Sequence, residues 1–406
     1  MPRGSRPGPR RIEAGERGQW RRKQRASPHS PGVLALPIPL PRVLVVGGYG
    51  AFGGHVARRL AREAGLELII AGRSLERAQQ FAASLAGAGS ARITALQMDA
   101  TSAEGQQLAA QHACVVINAS GPYQAQDYRL ARACIAAAAH YIDLADARSF
   151  VAGIGALNQD ARRAGVLVVS GASTVPALSS AVVDAYATQF ATLEAVSIVI
   201  SPGNSFDPGL ATAQSVLRSL GRPFLTRHAG LSATAYGWQG LKRRALPGLG
   251  GRWLGVCDVP DLDLLPDRHA GLKSVRVYAA LEVGAFHLAL WGLSWLVRAG
   301  LVANPERLAR PLLAMKQALR FLGSNVGGMT VTLEGRDRDN TPRRVDWRLI
   351  ARGDGPYVPA TPSVVLAKGL LAGRLAARGA MPCVGLLALN DVLEEFADLD
   401  ISTALA

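Results

Sequence analysis

Apolar residues in the first half of this chain come in short unbroken runs separated by helical patterns. Residues 43–46 (VLVV) are four consecutive β-formers. Beyond a glycine-rich turn, Val56 and Leu60 share one face of a helical pattern while Arg58, Arg59, Arg62 and Glu63 share the other. The same reading predicts strands over 66–71 (LELIIA), 93–98, 114–118, 140–144 and 165–170 (GVLVVS), with helices over 75–85 and 126–139 and another beginning near Arg148. Runs that are apolar throughout, rather than alternating, suit parallel strands buried on both faces. Strands and helices in alternation, with short connections, are the signature of a Rossmann-type, doubly wound α/β fold.

From residue 177 the pattern changes. A helix through Tyr186, a strand over 195–201 and a helix over 209–220 lead into 222–275, a stretch rich in Gly, Pro, Arg and Trp with no steady period. That stretch reads as a long ordered loop region over a site. Strands over 329–334 and 344–350, joined by a tip in which Arg and Asp alternate, predict an antiparallel sheet. Helices over 363–377 and 386–396 can return to the first domain. The expected organisation is a disordered basic tail over 1–40, a nucleotide-binding Rossmann domain over 41–172, and an α+β domain over 173–406 whose segment 361–406 packs back on the first.

The most apolar run is 283–297, bounded by Glu282 and Arg298 and interrupted by His287. Fifteen helical residues span roughly 22 Å, short of the ~30 Å hydrocarbon core of a bilayer, which disfavours a transmembrane helix. A buried helix, the wall of a lipid-binding cleft and a membrane-surface contact stay open, with Trp291 and Trp295 four apart on one face.

Gly48, Gly50 and Gly53 stand in G-x-G-x-x-G spacing between the first strand and the first helix. In that context the turn formed by Gly48, Tyr49, Gly50, Ala51, Phe52 and Gly53 predicts a dinucleotide site. Gly48 would make the tight turn, Gly50 would admit a pyrophosphate to the backbone, and Gly53 would let the helix pack close with its N-terminus aimed at the phosphates. Past the second strand, where an acid would bind a free ribose hydroxyl, stands Arg73, followed by Ser74 and, at the start of the next helix, Arg77. A guanidinium with a neighbouring hydroxyl holds a 2′-phosphate, so NADP(H) is expected rather than NAD(H). Asp99, ending the third strand, is expected near the adenine edge. The loop from Asn118 through Ser120 and Gly121 to Tyr123 should border the nicotinamide, because ligands of open α/β sheets lie beyond the carboxyl ends of the strands.

Charge first looks like a nucleic-acid footprint, because the chain carries a formal net charge of +15. Residues 1–30, however, hold nine basic and two acidic residues, a net of +7, in a proline-rich stretch without apolar period. This tail reads as disordered: a solvated extension, with a basic arm for nucleic acid or anionic lipid and a transit-like segment as alternatives. No basic stripe continues beyond it and aromatics are sparse, so no nucleic-acid partner is expected. Cys114, Cys134, Cys257 and Cys383 show no C-x-x-C spacing and no paired histidines, which argues against a metal site or a disulfide framework and for a cytoplasmic protein.

The elements GGYGAFG, NASGPY, ACIAAAAHYIDLADARSF and SGASTVP, in this order and spacing, resemble the NADP-binding region of the saccharopine dehydrogenase-like oxidoreductases, a family that includes saccharopine reductase and trans-acting enoyl reductases. The resemblance covers about residues 41–185. It implies a Rossmann domain followed by an α+β substrate domain, with Gly48, Gly50 and Gly53 on the pyrophosphate, Arg73 on the 2′-phosphate, and Asn118, Gly121 and Tyr123 at the reactive end of the cofactor. The turn Gly171-Ala172-Ser173-Thr174-Val175-Pro176 departs from the glycine-aspartate-proline-glycine type that serves the amino-acid substrate in saccharopine reductase, so the cofactor site carries over and the substrate does not.

A hydride acceptor becomes an anion unless a proton or hydrogen bond arrives in step. Tyr123 and Asp143 are the expected catalytic donors, with Ser173 and Thr174 behind them; Asp143 could instead cap the following helix. No Y-x-x-x-K occurs, which removes the tyrosine–lysine mechanism of short-chain dehydrogenases. The reading is an NADP(H)-dependent oxidoreductase acting on a small or lipid-like organic substrate, against a non-catalytic NADP-binding or membrane-associated scaffold. Peripheral membrane contact and a homo-oligomer are left open.

Overall fold

The computed structural model describes residues 40–87 and 89–405, and the basic tail, but for its last residue, lies outside them. Strand β1 (Arg42–Val46) shows why the first sheet is apolar throughout: Val43 and Val45 enter one core while Leu44 and Val46 enter another on the opposite face. Parallel strands β2 (Glu67–Gly72) and β3 (Arg92–Gln97) extend the sheet on one side of β1, and β4 (Val115–Asn118), β5 (His140–Asp143) and β6 (Leu167–Ser170) on the other. Helices α1 (Gly53–Leu60) and α2 (Leu75–Leu85) cover one face; α3 (Ala103–His112), α4 (Arg129–Ala136) and α6 (Asn158–Arg163) cover the other, with the short α5 (Arg148–Gly153) between α4 and α6 in the chain. β1 thus lies between β2 and β4, where the winding of the sheet reverses. That is the switch point at which such sheets bind ligands.

The chain then passes through α7 (Ser179–Ala187), β7 (Thr192–Ser201) and α8 (Gly209–Ser219). The stretch expected to be loop instead holds β8 (Pro223–His228), β9 (Leu231–Tyr236), β10 (Lys242–Leu246), β11 (Gly250–Val256) and α9 (Asp261–Arg268). β8 and β9 pair only with each other, and their side chains, like most of those on β10, stay exposed or half-buried. Strands stabilised by backbone pairing without a buried face leave no apolar period to read.

β12 (Ser274–Ala279), α10 (Gly284–Arg298), α11 (Ala309–Ala318), β13 (Val326–Arg336) and β14 (Pro342–Arg352) follow, and then α12 (Tyr357–Leu371), β15 (Gly379–Pro382), α13 (Leu389–Glu394) and β16 (Ile401–Leu405). The second sheet runs β10-β11-β12-β7-β13-β14-β16 and is mixed, since β12 lies parallel to β7 while its other pairings are antiparallel. β15 joins the first sheet, parallel to β6, and makes it seven-stranded. Arg59 of α1, buried beneath the C-terminal segment, donates to both Asp398 carboxylate oxygens at 2.6 and 2.8 Å and to Glu395 O at 2.6 Å, which ties that segment to the glycine-turn helix.

α10 corrects one expectation. It is not a buried helix: His287, Ser294 and Val297 are its buried residues, while Leu288, Trp295 and Leu296 face solvent. Among the described residues, no helix is long and apolar enough to cross a membrane.

Candidate functional site

The glycine turn is shaped by contacts that only hydrogen can fill. Gly47 adopts φ +71°, and its N–H and that of Gly48 donate to Ala71 O at 2.8 and 3.1 Å. The left-handed residue of the turn is therefore Gly47, one position ahead of the first glycine of the motif, which the G-x-G-x-x-G spacing does not mark. A Cβ on Gly53 would stand 2.2 Å from Gly47 O, so α1 begins directly against the turn. Gly50 is less confined, with Gly47 O at 3.0 Å from its would-be Cβ.

Tyr49 lies along the end of β2. Its ring presses on Gly72, its hydroxyl accepts the Ser74 N–H at 3.0 Å, and the Arg77 guanidinium stacks 4.8 Å from the ring centroid. Ser74 caps α2 by accepting the Arg77 N–H at 3.3 Å, which leaves its hydroxyl proton to donate. Arg73 is exposed and lines an open cavity of about 540 Å³ with Gln97, Met98, Asp99, Ser102, Glu104, Gly105 and Leu108. Asp99 is turned back on its own loop, where the Thr101 N–H at 2.9 Å and hydroxyl at 2.8 Å hold its carboxyl below the usual range. The cavity thus opens beyond β2 and β3 and sets the Arg73 guanidinium beside the Asp99 and Glu104 carboxylates and the apolar Met98 and Leu108.

Past β4, Asn118 is buried and works as a bracket. Its Oδ1 accepts the Ser120 N–H at 3.1 Å and hydroxyl at 2.6 Å, while its Nδ2 donates to the Tyr141 hydroxyl at 3.1 Å. Gln126, which the sequence did not single out, donates to Ser120 O at 2.5 Å and Pro122 O at 3.3 Å. These bonds fix the backbone of Ser120 and Gly121 at the carboxyl edge of the sheet.

Tyr123 and Asp143, expected as donors at the cleft, are both turned into the core. The Tyr123 hydroxyl donates to Asn118 O at 2.7 Å, and burial together with the Asp143 carboxylate pushes its pKa far up. Asp143 is fully buried and its Oδ1 accepts from the N–H groups of Ala145 (3.0 Å) and Gly171 (2.9 Å) and from the Ser170 hydroxyl (2.9 Å). Burial lifts its pKa to about 6 against those donors. The loops that follow β4 and β5 fold over both side chains.

The second half of the chain closes on this edge through α8. A Cβ on Gly121 would lie 3.6 Å from Ala211 Cβ, one on Gly209 would lie 3.0 Å from Ala51 Cβ, and the Phe52 and Phe206 rings stand 6.1 Å apart. One turn beyond Ala211, Ser215 accepts from Gln124 and donates to Asp146 at 3.0 Å. Desolvation raises the Asp146 carboxyl above its usual range. Asp146 stands three residues past Asp143 within ACIAAAAHYIDLADARSF, and nothing in the local pattern distinguishes it. Beside the α8 N-terminus a second cavity, about 310 Å³, is lined by Asp207, Gly209, Leu210, Leu313, Lys316 and Gln317. Among the described residues no group of three or more His, Cys, Asp or Glu is placed to hold a metal, and the four cysteines are free.

Residues 43–169 match the family model described as saccharopine dehydrogenase NADP binding domain. Over 90% of this chain and 100% of the other, the fold is similar to apo histidine-tagged saccharopine dehydrogenase (L-Glu forming) from Saccharomyces cerevisiae, with a TM-score of 0.64 at 14% identity. A short-chain dehydrogenase from Sphingobium yanoikuyae in complex with NADPH overlaps 32% of this chain and 71% of its own at 19% identity and a TM-score of 0.26, too slight a likeness to carry an argument. No curated protein matches the chain.

Proposed function

We propose that this chain, whose residues 43–169 are a saccharopine dehydrogenase-like NADP-binding domain, is an NADP(H)-dependent oxidoreductase acting on a small or lipid-like organic substrate. The half from residue 173 onward would shape the substrate site. The observation that carries this reading is the cradle itself: a glycine turn that a Cβ would fill, with the exposed Arg73 at the open cavity beyond β2.

On this reading the turn from Gly48 through Tyr49, Gly50, Ala51 and Phe52 to Gly53 holds the pyrophosphate through backbone N–H groups and the α1 N-terminus. Arg73 and the Ser74 hydroxyl hold the 2′-phosphate, Arg77 braces Tyr49 as its wall, and Asp99 borders the adenine. Asn118 holds Ser120 and Gly121 rigid so that their backbone faces the nicotinamide, which when bound supplies or accepts the hydride. Tyr123 and Asp143 support this loop from beneath, in place of the donor role expected of them. The proton falls to Asp146: its desolvated carboxyl favours the neutral acid, and Ser215 and Gln124 orient it beside the Gly121–Ala211 approach.

The test is calorimetric titration of the full chain with NADPH and NADH, followed by NADPH oxidation against a panel of ketones, imines and enoyl thioesters. Micromolar or tighter NADPH binding with turnover of one class supports the proposal. Binding without turnover of any class would leave the scaffold reading, and no binding would overturn both.

A further inference from the structure

Helix α10 is packed with its polar side inward. His287 and Ser294 are fully buried, and Val297 nearly so. The opposite face carries Ala285, Leu288, Ala289, Trp295, Leu296 and, just past the helix, Ala299, spaced three, four and seven apart along one stripe. All six are exposed, Leu288 at 38%, Trp295 at 46% and Leu296 at 45%. A solvent-facing stripe without a polar side chain is the reverse of an ordinary surface helix.

The stripe is extended at both ends. Leu301 follows at 73% exposure. At the other end the Glu282 carboxylate accepts the Ser324 N–H at 2.8 Å and its hydroxyl at 2.7 Å, which brings the turn holding Phe321 (72% exposed) and Leu322 (52%) beside the start of α10. Exposed apolar patches of this kind mark contact surfaces.

Charge selects the occupant. Residues 283–322 contain five basic side chains, Arg298, Arg307, Arg310, Lys316 and Arg320, against the single acid Glu306. The four arginines are exposed, and Arg298 sits 5.1 Å from the Trp295 ring centroid. A second copy of the chain would set these exposed arginines against their own copies, while Lys316 is turned inward to Asn204 O and Phe206 O. An anionic lipid surface matches both properties, since it accepts an apolar stripe lying in its plane and attracts the arginines around it. We propose that α10, with Leu301 and the Phe321–Leu322 turn, is a docking face by which the protein lies on an anionic phospholipid bilayer without crossing it. This does not depend on the catalytic reading.

The experiment is co-sedimentation of the full chain with phosphatidylcholine vesicles and with mixed phosphatidylcholine–phosphatidylglycerol vesicles. It is repeated at high salt, because the basic tail can also hold anionic lipid by charge alone. Wild-type protein is expected to prefer the anionic vesicles and to retain part of its binding at high salt. The variant Leu288→Ser/Trp295→Ser/Leu296→Ser should lose about tenfold or more of its affinity, as even one buried side chain of this size contributes about that factor. NADPH affinity that is unchanged in the variant shows that it is folded. Arg307→Glu/Arg310→Glu should lose the preference for phosphatidylglycerol. Brominated acyl chains should quench wild-type tryptophan fluorescence more than that of Trp295→Phe. Equal vesicle binding by wild type and the triple variant would overturn the proposal and assign binding to the tail. A wild-type dimer that the triple variant converts to monomer would overturn it in favour of a second copy.

Discussion

The Ser215 hydroxyl donates to the Asp146 carboxylate at 3.0 Å, across the seam between α8 and the loop that follows β5. Burial raises this carboxyl's pKa and the Ser215 bond lowers it, so the two side chains together set where the acid loses its proton. In the direction that consumes NADPH, turnover should fall as pH rises through that value. Asp146→Asn should reduce kcat by about 100-fold or more while leaving the NADPH dissociation constant unchanged, the usual scale for loss of a general acid. Ser215→Ala should move the falling limb of the pH–rate profile to higher pH, because it removes a bond that favours the ionised form. A profile that stays where it was would make Asp146 a bystander.

Cofactor choice tests Arg73. A 2′-phosphate gains one or two charge-assisted hydrogen bonds there, worth about 1.5 to 3 kcal/mol each before solvent screening. NADPH should bind at least about tenfold more tightly than NADH at low salt. Arg73→Ala should erase most of the difference and leave NADH affinity nearly constant. Equal affinities in the unmodified protein would remove the role given to this side chain.

Gly50 and Gly53 should separate binding from folding. A Cβ on Gly50 meets Gly47 O at 3.0 Å, whereas one on Gly53 would meet it at 2.2 Å. Gly50→Val is therefore expected to keep most of the thermal stability and lose NADPH binding in calorimetry. Gly53→Ala should lower the midpoint itself, because α1 must move away from the turn.

Asp143 makes stability depend on pH. Its folded pKa, about 6, lies above the 3.8 of an ordinary aspartate, so the folded chain holds a proton that the unfolded chain releases. Its contribution is complete below the unfolded value and is lost as pH rises through 6, a change on the order of 3 kcal/mol. Urea unfolding across that window should show the fall. Asp143→Asn, which keeps an acceptor for Ala145, Gly171 and Ser170, should flatten it. Asp143→Ala should instead destabilise at every pH by about 2 to 4 kcal/mol, since it leaves those donors unpaired.

By itself the sequence determined the first sheet and its glycine turn. Val43 to Val46 are buried on alternate sides, so a strand covered on both faces writes itself as an unbroken apolar run, and the glycines behind it are demanded by contacts within a few residues. Arg73 was legible for the same reason, because its position follows from the local order of strand, turn and helix. Tertiary structure alone decided the rest. β8 and β9 rest on backbone pairing with exposed side chains, β15 finds β6 across more than two hundred residues, and neither fact leaves a periodic trace. That Asp146 meets Ser215 depends on α8, which is distant in the chain. Likewise, the apolar pattern of α10 is the same whether its neighbours cover Leu288, Trp295 and Leu296 or, as here, cover His287 and Ser294 instead.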